Sequence, residues 1–397
     1  MPKRIREKRK IAIVTNSLYT FGGGEKMALG LAEGLKSHFD ITILNTTSPN
    51  DIRVISRKEI EKLYDLSTVR IIDVQSTGIR TKAFGKEPFV LRLFKPSAFA
   101  IFAGELRRAD AVYEMSNNPL VLLNSVMFAR LFGKKLVFGI HNFSISKILE
   151  SRETVSEKVL RKNLFVGMKL VKYFHVINSR DFNMVKRFFP KANVRMIPNY
   201  ITEDHARIGA GARDFNCLYV GRLEKNQKGI DLLCRIIDMT LAKNRSIKFT
   251  IVGKGGDGEE LVESLRNRYK KNVRWLGFLS GNKLAKAYEG ADLFVFPARY
   301  DTFSLVLLEA QGHGIPAVAF DIDGPKDILK EPEQGRLIGA FDTEEFSKAI
   351  EQYHRLWRNR KAYAALKRRI SNHAYLKFGK DAIFKEWKMF FDDLMGR

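Results

Sequence analysis

Four charged side chains in the second half of the chain have the types and spacing to hold a phosphorylated ligand: Arg222, Lys228, Asp301 and Glu309. A nucleoside diphosphate needs positive charge or backbone donors. The runs Val220-Gly221-Arg222-Leu223 and Lys228-Gly229 supply both. A guanidinium grips two phosphate oxygens at once, and an ammonium at a helix start adds a point charge. Asp301 opens a polar loop, and Glu309 lies eight positions on, inside an otherwise apolar segment, Leu305-Val306-Leu307-Leu308 and Ala310. A carboxylate next to such a run is costly unless it is paired or bound. Plainer readings stand beside these. The cations also fit a solvated basic loop, Glu309 an acid satisfied by an arginine or a helix N-terminus, and Asp301 an N-cap.

The elements that must position these groups read as an alternating α/β chain. Phe296 to Phe320 runs strand, polar loop, amphipathic helix, Gly-Pro turn, strand. The loop end of a parallel strand is where α/β proteins place ligands. Upstream, strand Cys217–Val220 leads through 221–229 to a helix near Ile230–Leu241. Strand Lys248–Val252 leads through the glycine-rich 253–258 to helix Glu259–Tyr269. Strand Val273–Trp275, helix Asn282–Tyr288 and strand Leu293–Phe296 follow. The first half uses the same grammar: strand Ile11–Asn16, the Gly22-Gly23-Gly24 turn, a helix carrying Met27, Leu31 and Leu35, and strand 41–45. More strands are expected at Val69–Val74, Ala111–Glu114, Lys135–Ile140, Phe174–Ile177 and Val194–Pro198. This pattern predicts two open α/β domains, at 1–200 and 201–377, joined near Glu203–Arg213, with an amphipathic helix in 378–397.

The motifs resemble those of the family 4 retaining glycosyltransferases. That family's acid-x7-acid signature reads Glu-Gly-Phe-Gly-Leu followed by Leu-Glu-Ala. Here the series is Asp301-Thr302-Phe303-Ser304-Leu305, then Leu308-Glu309-Ala310. The spacing is intact, with Asp for the first Glu and both loop glycines replaced. Gly221-Arg222 through Lys228-Gly229 resembles the family's Gly-Arg-(x5)-Lys-Gly element, and Pro198-Asn199 its Pro-Asn-Gly turn. The resemblance implies a GT-B fold: two Rossmann-like domains facing across a cleft, with the C-terminal helix crossing back to the first. It implies that Arg222 and Lys228 stabilise the donor diphosphate in place of a metal. Glu309 would hold the two ribose hydroxyls, and Asp301 would face the transferred sugar. Backbone amides at Ser304 and Leu305 would meet phosphate or sugar, with Phe303 beside them. Gly253 and Phe278 would lie by the nucleoside, and Gly23 and Gly24 would let the donor or acceptor approach the backbone. His141, closing the strand Val137–Ile140, would stand by the donor sugar; a structural histidine is the plainer reading. Glu114 also closes a strand and receives no role.

Composition narrows the partners. The 397 residues carry 69 Lys and Arg against 44 Asp and Glu, a formal charge of +25, which speaks for anionic partners and against nothing in the fold. Two cysteines, Cys217 and Cys234, make no disulfide framework or metal spacing. No apolar run of about 18 residues exists. Lys158, Arg161, Lys162, Lys169 and Lys172 share one face of a helix opposite Leu160, Leu164, Met168 and Val171. Arg80–Arg108 interleaves Lys82, Lys86, Arg92, Lys95, Arg107 and Arg108 with Phe84, Phe89, Phe94, Phe99 and Phe102. Both features suit an anionic membrane surface, though the first equally fits an ordinary surface helix. The expectation is therefore a cytoplasmic enzyme, peripheral on the inner face of the membrane. It would move sugar from a nucleotide-diphosphate sugar, UDP favoured over GDP, to a glycan or lipid-linked acceptor, with no metal or cofactor and no nucleic acid. A catalytically silent sugar-nucleotide binder and a basic nucleic-acid-binding protein are the competing readings.

Overall fold

A computed structural model describes residues 7–16, 18–20, 23–48, 51, 54–81, 89–116, 118–141, 155–203, 206–209, 213–339 and 341–396; for 20, 78–81, 89–91 and 155–161 it describes the backbone alone. The chain divides into two compact units, Met1–Pro198 with Phe384–Arg397, and Asn199–Ile383.

In the first unit the described strands are β1 Lys10–Thr15, β2 Asp40–Thr47, β3 Arg70–Thr81, β4 Phe89–Phe94, β5 Ala111–Glu114, β6 Lys135–Ile140, β7 Tyr173–Val176 and β8 Asn193–Met196. They form one sheet in the order β4-β3-β2-β1-β5-β6-β7-β8. All neighbours are parallel except β3 and β4. The inner strands are unbroken buried runs, such as Ile11 to Thr15. Such runs form when helices cover both faces of a parallel sheet. Helices Gly23–Leu35, Pro96–Arg108, Pro119–Leu131, Val155–Lys169 and Ser179–Phe188 alternate with the strands. Asn118 and Asn178 cap two of them by accepting from Leu120 N and Asp181 N, which satisfies donors a helix start leaves open.

Two sequence expectations change here. The strand expected at Val69–Val74 continues to Thr81 and pairs antiparallel with β4, an element the pattern had not disclosed. The basic, aromatic stretch Arg80–Arg108 is therefore not one docking face. Phe102 is fully buried, with the Phe94 ring 4.7 Å away. Arg92 is buried and holds Asp51 through two hydrogen bonds of 2.6 and 3.1 Å. Phe99, Arg107 and Arg108 stay exposed. Lys82, Phe84 and Lys86, and the Phe89 side chain, lie outside the described residues. In helix Val155–Lys169 and just beyond it, Leu164, Met168 and Val171 face the core while Lys162, Lys169 and Lys172 are exposed. The side chains of Lys158, Leu160 and Arg161 lie outside the described residues.

In the second unit the described strands are β9 Asn216–Val220, β10 Lys248–Val252, β11 Val273–Trp275, β12 Leu293–Phe296, β13 Ala317–Phe320 and β14 Gly335–Ile338. Their order is β11-β10-β9-β12-β13-β14 and every pair is parallel. From β9 the chain steps outward to β10 and β11, then returns to lay β12 on the other side. The strand order thus reverses between β9 and β12, and loops leaving that point diverge to leave a crevice. The final helix, Lys380–Leu394, buries Trp387, Phe391 and Leu394, and from Phe384 onward it belongs to the first unit. Among the described residues no helix is long and apolar enough to cross a membrane.

Glu114, at the end of β5, is buried and accepts from Ser116 N at 2.8 Å and from Ser125 Oγ at 2.5 Å. Burial pushes its carboxyl from an ordinary 4.5 up to about 7. Between those values the folded chain keeps a proton that the unfolded chain has lost, so stability falls as pH rises through the window. Melting temperatures of the wild type and Glu114→Gln, compared at about pH 5 and about pH 8, should show the wild type losing about 1–3 kcal/mol more across that rise. Parallel pH slopes would refute this.

Candidate active site

The second unit gathers most of the expected site residues at one edge of its sheet. Arg222 and Lys228 stand in the loop after β9, Gly253 follows β10, and Asp301 follows β12. Because the strands are parallel, these loops all leave the same edge, and those of β9 and β12 flank the reversal in strand order. Lys228 Nζ donates to Asp301 Oδ2 at 2.8 Å, with side chains only 17% and 14% exposed. This contact joins two sequence-predicted residues 73 positions apart. The N-cap position of helix Leu305–Gly312 is held by Ser304, not by Asp301. An ammonium has three donors, so two remain beyond the Asp301 bond. Arg222 is the more open cation, 58% exposed, and its guanidinium donates to Glu224 Oε1 at 2.5 Å and Gln227 Oε1 at 2.9 Å.

The β9 loop is fixed by a residue the sequence reading missed. Arg299 donates to both Asp231 oxygens at 2.6 and 2.7 Å and to the Lys225 carbonyl, and its own N–H bonds Gln227 O at 2.9 Å. The Arg299 guanidinium holds the Asp231 carboxyl below the usual carboxylate range. Only the register of β9 against β12 brings the two together, so local pattern carries no sign of it. Two glycines close the neighbouring turn. Gly253 has φ +142°, and a Cβ there would come within 1.8 Å of Gly221 O. Gly229 has φ +66° and faces Pro297 O just as closely, at 2.0 Å from a Cβ. Neither position admits a side chain.

Helix Leu305–Gly312 begins without a side-chain cap, and the Ser304 Oγ is buried with no hydrogen-bond partner among the described residues. The helices beginning after Gly229 and Gly258 also lack a side-chain cap. Unmet N–H groups and the helix dipole at such an end favour an anion. One turn further in, Glu309 Oε2 accepts from the buried Tyr288 hydroxyl at 2.7 Å. Burial, then the Glu309 charge, push the Tyr288 hydroxyl well above its ordinary pKa, so it stays a donor. Tyr288 was likewise absent from the sequence reading. Leu305 is half-buried, whereas the Phe303 side chain is buried edge-on against Phe378, leaving its backbone as what it can offer a ligand. Phe278 is 65% exposed, with Lys254 Nζ 5.9 Å from its ring centroid.

The remaining expected residues belong to the first unit. Gly23 and Gly24 form the first turn of helix Gly23–Leu35, and space is open where a Gly24 Cβ would point. His141 follows β6, and burial lowers its imidazole to about 4. Asn16, after β1, has a buried Oδ1 with no partner among the described residues.

Comparison with known proteins agrees with this architecture. Residues 214–355 match the family model Glycosyl transferases group 1. The chain is 32% identical over 176 residues to an uncharacterized glycosyltransferase of Methanocaldococcus jannaschii, covering 43% of this chain and 42% of that protein. It thus spans under half the length of that relative. It is 24% identical over 388 residues to the amylovoran biosynthesis glycosyltransferase AmsD of Erwinia amylovora, covering 95% and 98%. Among solved structures, the pneumococcal O-GlcNAc transferase GtfA, in complex with UDP and GlcNAc, superposes with a TM-score of 0.71 at 13% identity, covering 98% of this chain and 100% of that one.

The Lys228–Asp301 pair generates a stability prediction. Lys228→Met or Asp301→Asn should each cost about 1–3 kcal/mol, because each leaves a half-buried charge without its partner. The double variant should cost less than the sum, a coupling that urea denaturation of the four proteins would measure. Additive losses would mean the pair is not formed in solution. The chain, then, has the GT-B fold, and its residues 214–355 are similar to the glycosyl transferases group 1 family.

Proposed function

We propose that the chain is a retaining glycosyltransferase that moves a sugar from a nucleotide-diphosphate sugar to a hydroxyl acceptor. The observation that carries this reading is the Lys228–Asp301 pair beside the uncapped start of helix Leu305–Gly312, where the Ser304 Oγ is buried and has no partner among the described residues. Cations, open N–H donors and a spare hydroxyl in one place suit a diphosphate and the sugar joined to it. Arg222 and the two remaining Lys228 donors take the diphosphate and supply the charge that a metal supplies elsewhere. Glu309, which accepts from the Tyr288 hydroxyl, is the carboxylate that takes the ribose hydroxyls. Asp301 turns its second oxygen to the transferred sugar.

The leaving diphosphate departs and the acceptor hydroxyl enters from the same face, passing its proton to a phosphate oxygen. Arg222 and Lys228 stabilise the charge that develops there, a preorganised electrostatic role. UDP is favoured over GDP, with support from the UDP in the pneumococcal enzyme of the same fold. The acceptor is a lipid-linked or cell-envelope glycan. The name of the Erwinia relative supports a glycan. The formal charge of +25 and the exposed Lys162, Lys169 and Lys172 support an anionic membrane surface at the cytoplasmic face.

A thermal-shift screen of UDP- and GDP-sugars, followed by nucleotide release with each hit, tests the reading. A bound donor raises stability by mass action. Lys228→Ala should lower kcat by roughly 10²–10³, the scale of one lost transition-state donor, whereas Glu309→Gln should act mainly on donor KM. No shift with any sugar nucleotide would refute the reading. Stabilisation without nucleotide release, even with acceptors supplied, would leave a silent sugar-nucleotide binder.

A further inference from the structure

In the first unit, two buried side chains, Tyr113 and His175, form a directed hydrogen-bond chain that ends on the half-buried His141. The Tyr113 hydroxyl on β5 lies 2.5 Å from His141 Nε2 and 2.9 Å from His175 Nδ1. His175 Nε2 lies 2.8 Å from the Ile197 carbonyl. A carbonyl only accepts, so the hydrogen of His175 is on Nε2. Burial holds the His175 imidazole well below its ordinary pKa, so it carries that one hydrogen and its Nδ1 is a bare lone pair. Tyr113 must then donate to His175. Its single hydrogen spent, the Tyr113 oxygen can only accept from His141, which places the His141 hydrogen on Nε2. Burial likewise keeps His141 neutral near neutral pH, with its pKa lowered to about 4. Its Nδ1 is left as an acceptor, buried and without a partner among the described residues.

The surrounding sequence is shaped to hold this chain. At Gly139 a Cβ would come 2.5 Å from the Tyr113 hydroxyl, so the residue two before His141 has no room for a side chain. Gly139 and His175 are register partners across β6 and β7. The Trp387 ring packs 4.4 Å from the His175 ring and 5.1 Å from that of Tyr113, measured between centroids. A buried acceptor without a donor costs free energy, and a chain that fixes its direction leaves it no way to rotate into a donor role.

We propose that Tyr113 and His175 are positioning residues that lock His141 as the Nε2–H tautomer, so that its Nδ1 is kept as the acceptor for the sugar hydroxyl that the family resemblance expects there. The identity of that donor rests on the function proposed above; the tautomer lock does not.

The full chain labelled with ¹⁵N-histidine allows both parts to be tested by two-bond ¹H–¹⁵N correlation spectra. The chain has seven histidines, and the His141 signals are assigned by their loss in His141→Asn. The expected wild-type pattern is a neutral His141 with hydrogen on Nε2 and an unprotonated Nδ1. Hydrogen on Nδ1 would overturn the lock, and this measurement needs no variant of Tyr113. In Tyr113→Phe, with a wild-type near-ultraviolet circular dichroism spectrum and a cooperative thermal transition as proof of folding, His141 should become a tautomer mixture. An unchanged tautomer would remove Tyr113 from the role. The same variant should lower kcat/KM roughly tenfold, the scale of one misdirected hydrogen bond, while leaving UDP affinity unchanged.

UDP-glucose and UDP-GlcNAc are the probes for the second part. A UDP-sugar that raises the melting temperature should move the Nδ1 resonance upfield, and UDP alone should not. Stabilisation without that movement would overturn the acceptor role while leaving donor binding intact. If no UDP-sugar stabilises the protein, the sugar assignment falls with the donor reading, and the apo spectrum still decides the lock.

Discussion

The bond between Lys228 and Asp301 is where the second unit's sheet topology becomes chemistry. Two loops leave adjacent strands whose connections then run in opposite directions, and one backbone bond, from Arg299 N–H to Gln227 O, joins them. The ammonium and carboxylate do so near the tips, and the bidentate Arg299–Asp231 pair does so below. Each pair is formally neutral. What remains at this edge is the exposed Arg222 guanidinium with donors beyond its bonds to Glu224 and Gln227, the spare donors of Lys228 and the first amides of helix Leu305–Gly312. That residue of positive character, next to a lone serine hydroxyl, gives the edge its preference for a bound anion carrying hydroxyl groups.

The support behind the charged groups is as specific as the groups. Gly229 and Gly253 allow backbone approaches no other residue could make, and they bring the β9 and β10 turns against their neighbours. Tyr288 orients Glu309 from another helix, and Tyr113 with His175 orients His141. In each case a buried aromatic hydroxyl sits behind a group expected to touch ligand. A hydroxyl is short of freedom once its ring is packed, so it passes the rigidity of the core to the side chain in front of it.

Much of the second unit could be read from the sequence because its information is local. Apolar runs such as Leu293–Phe296 and Ala317–Phe320, closed by Gly or polar loops, mark parallel strands on their own. Arg222, Lys228, Asp301 and Glu309 stood out as charges beside such runs. The contacts that organise them did not. Arg299 meets Asp231 across 68 positions and Tyr288 meets Glu309 across 21, and such pairs exist only after the sheet has formed. The same holds in the first unit, where β4 became visible only through its pairing with β3. Its alternation of Phe, Leu and Arg had looked like a docking surface because burial of Arg92 needs a partner, Asp51, that lies 41 residues away.

The central claim is that one nucleotide site spans Arg222, Lys228, Ser304 and Glu309. A crystal structure of the chain with UDP tests it most directly. The account predicts pyrophosphate oxygens about 3 Å from the Arg222 guanidinium and Lys228 Nζ, and ribose hydroxyls at that distance from Glu309. UDP bound away from the β9 and β12 loops, or bound there with Glu309 turned from the ribose, would contradict it.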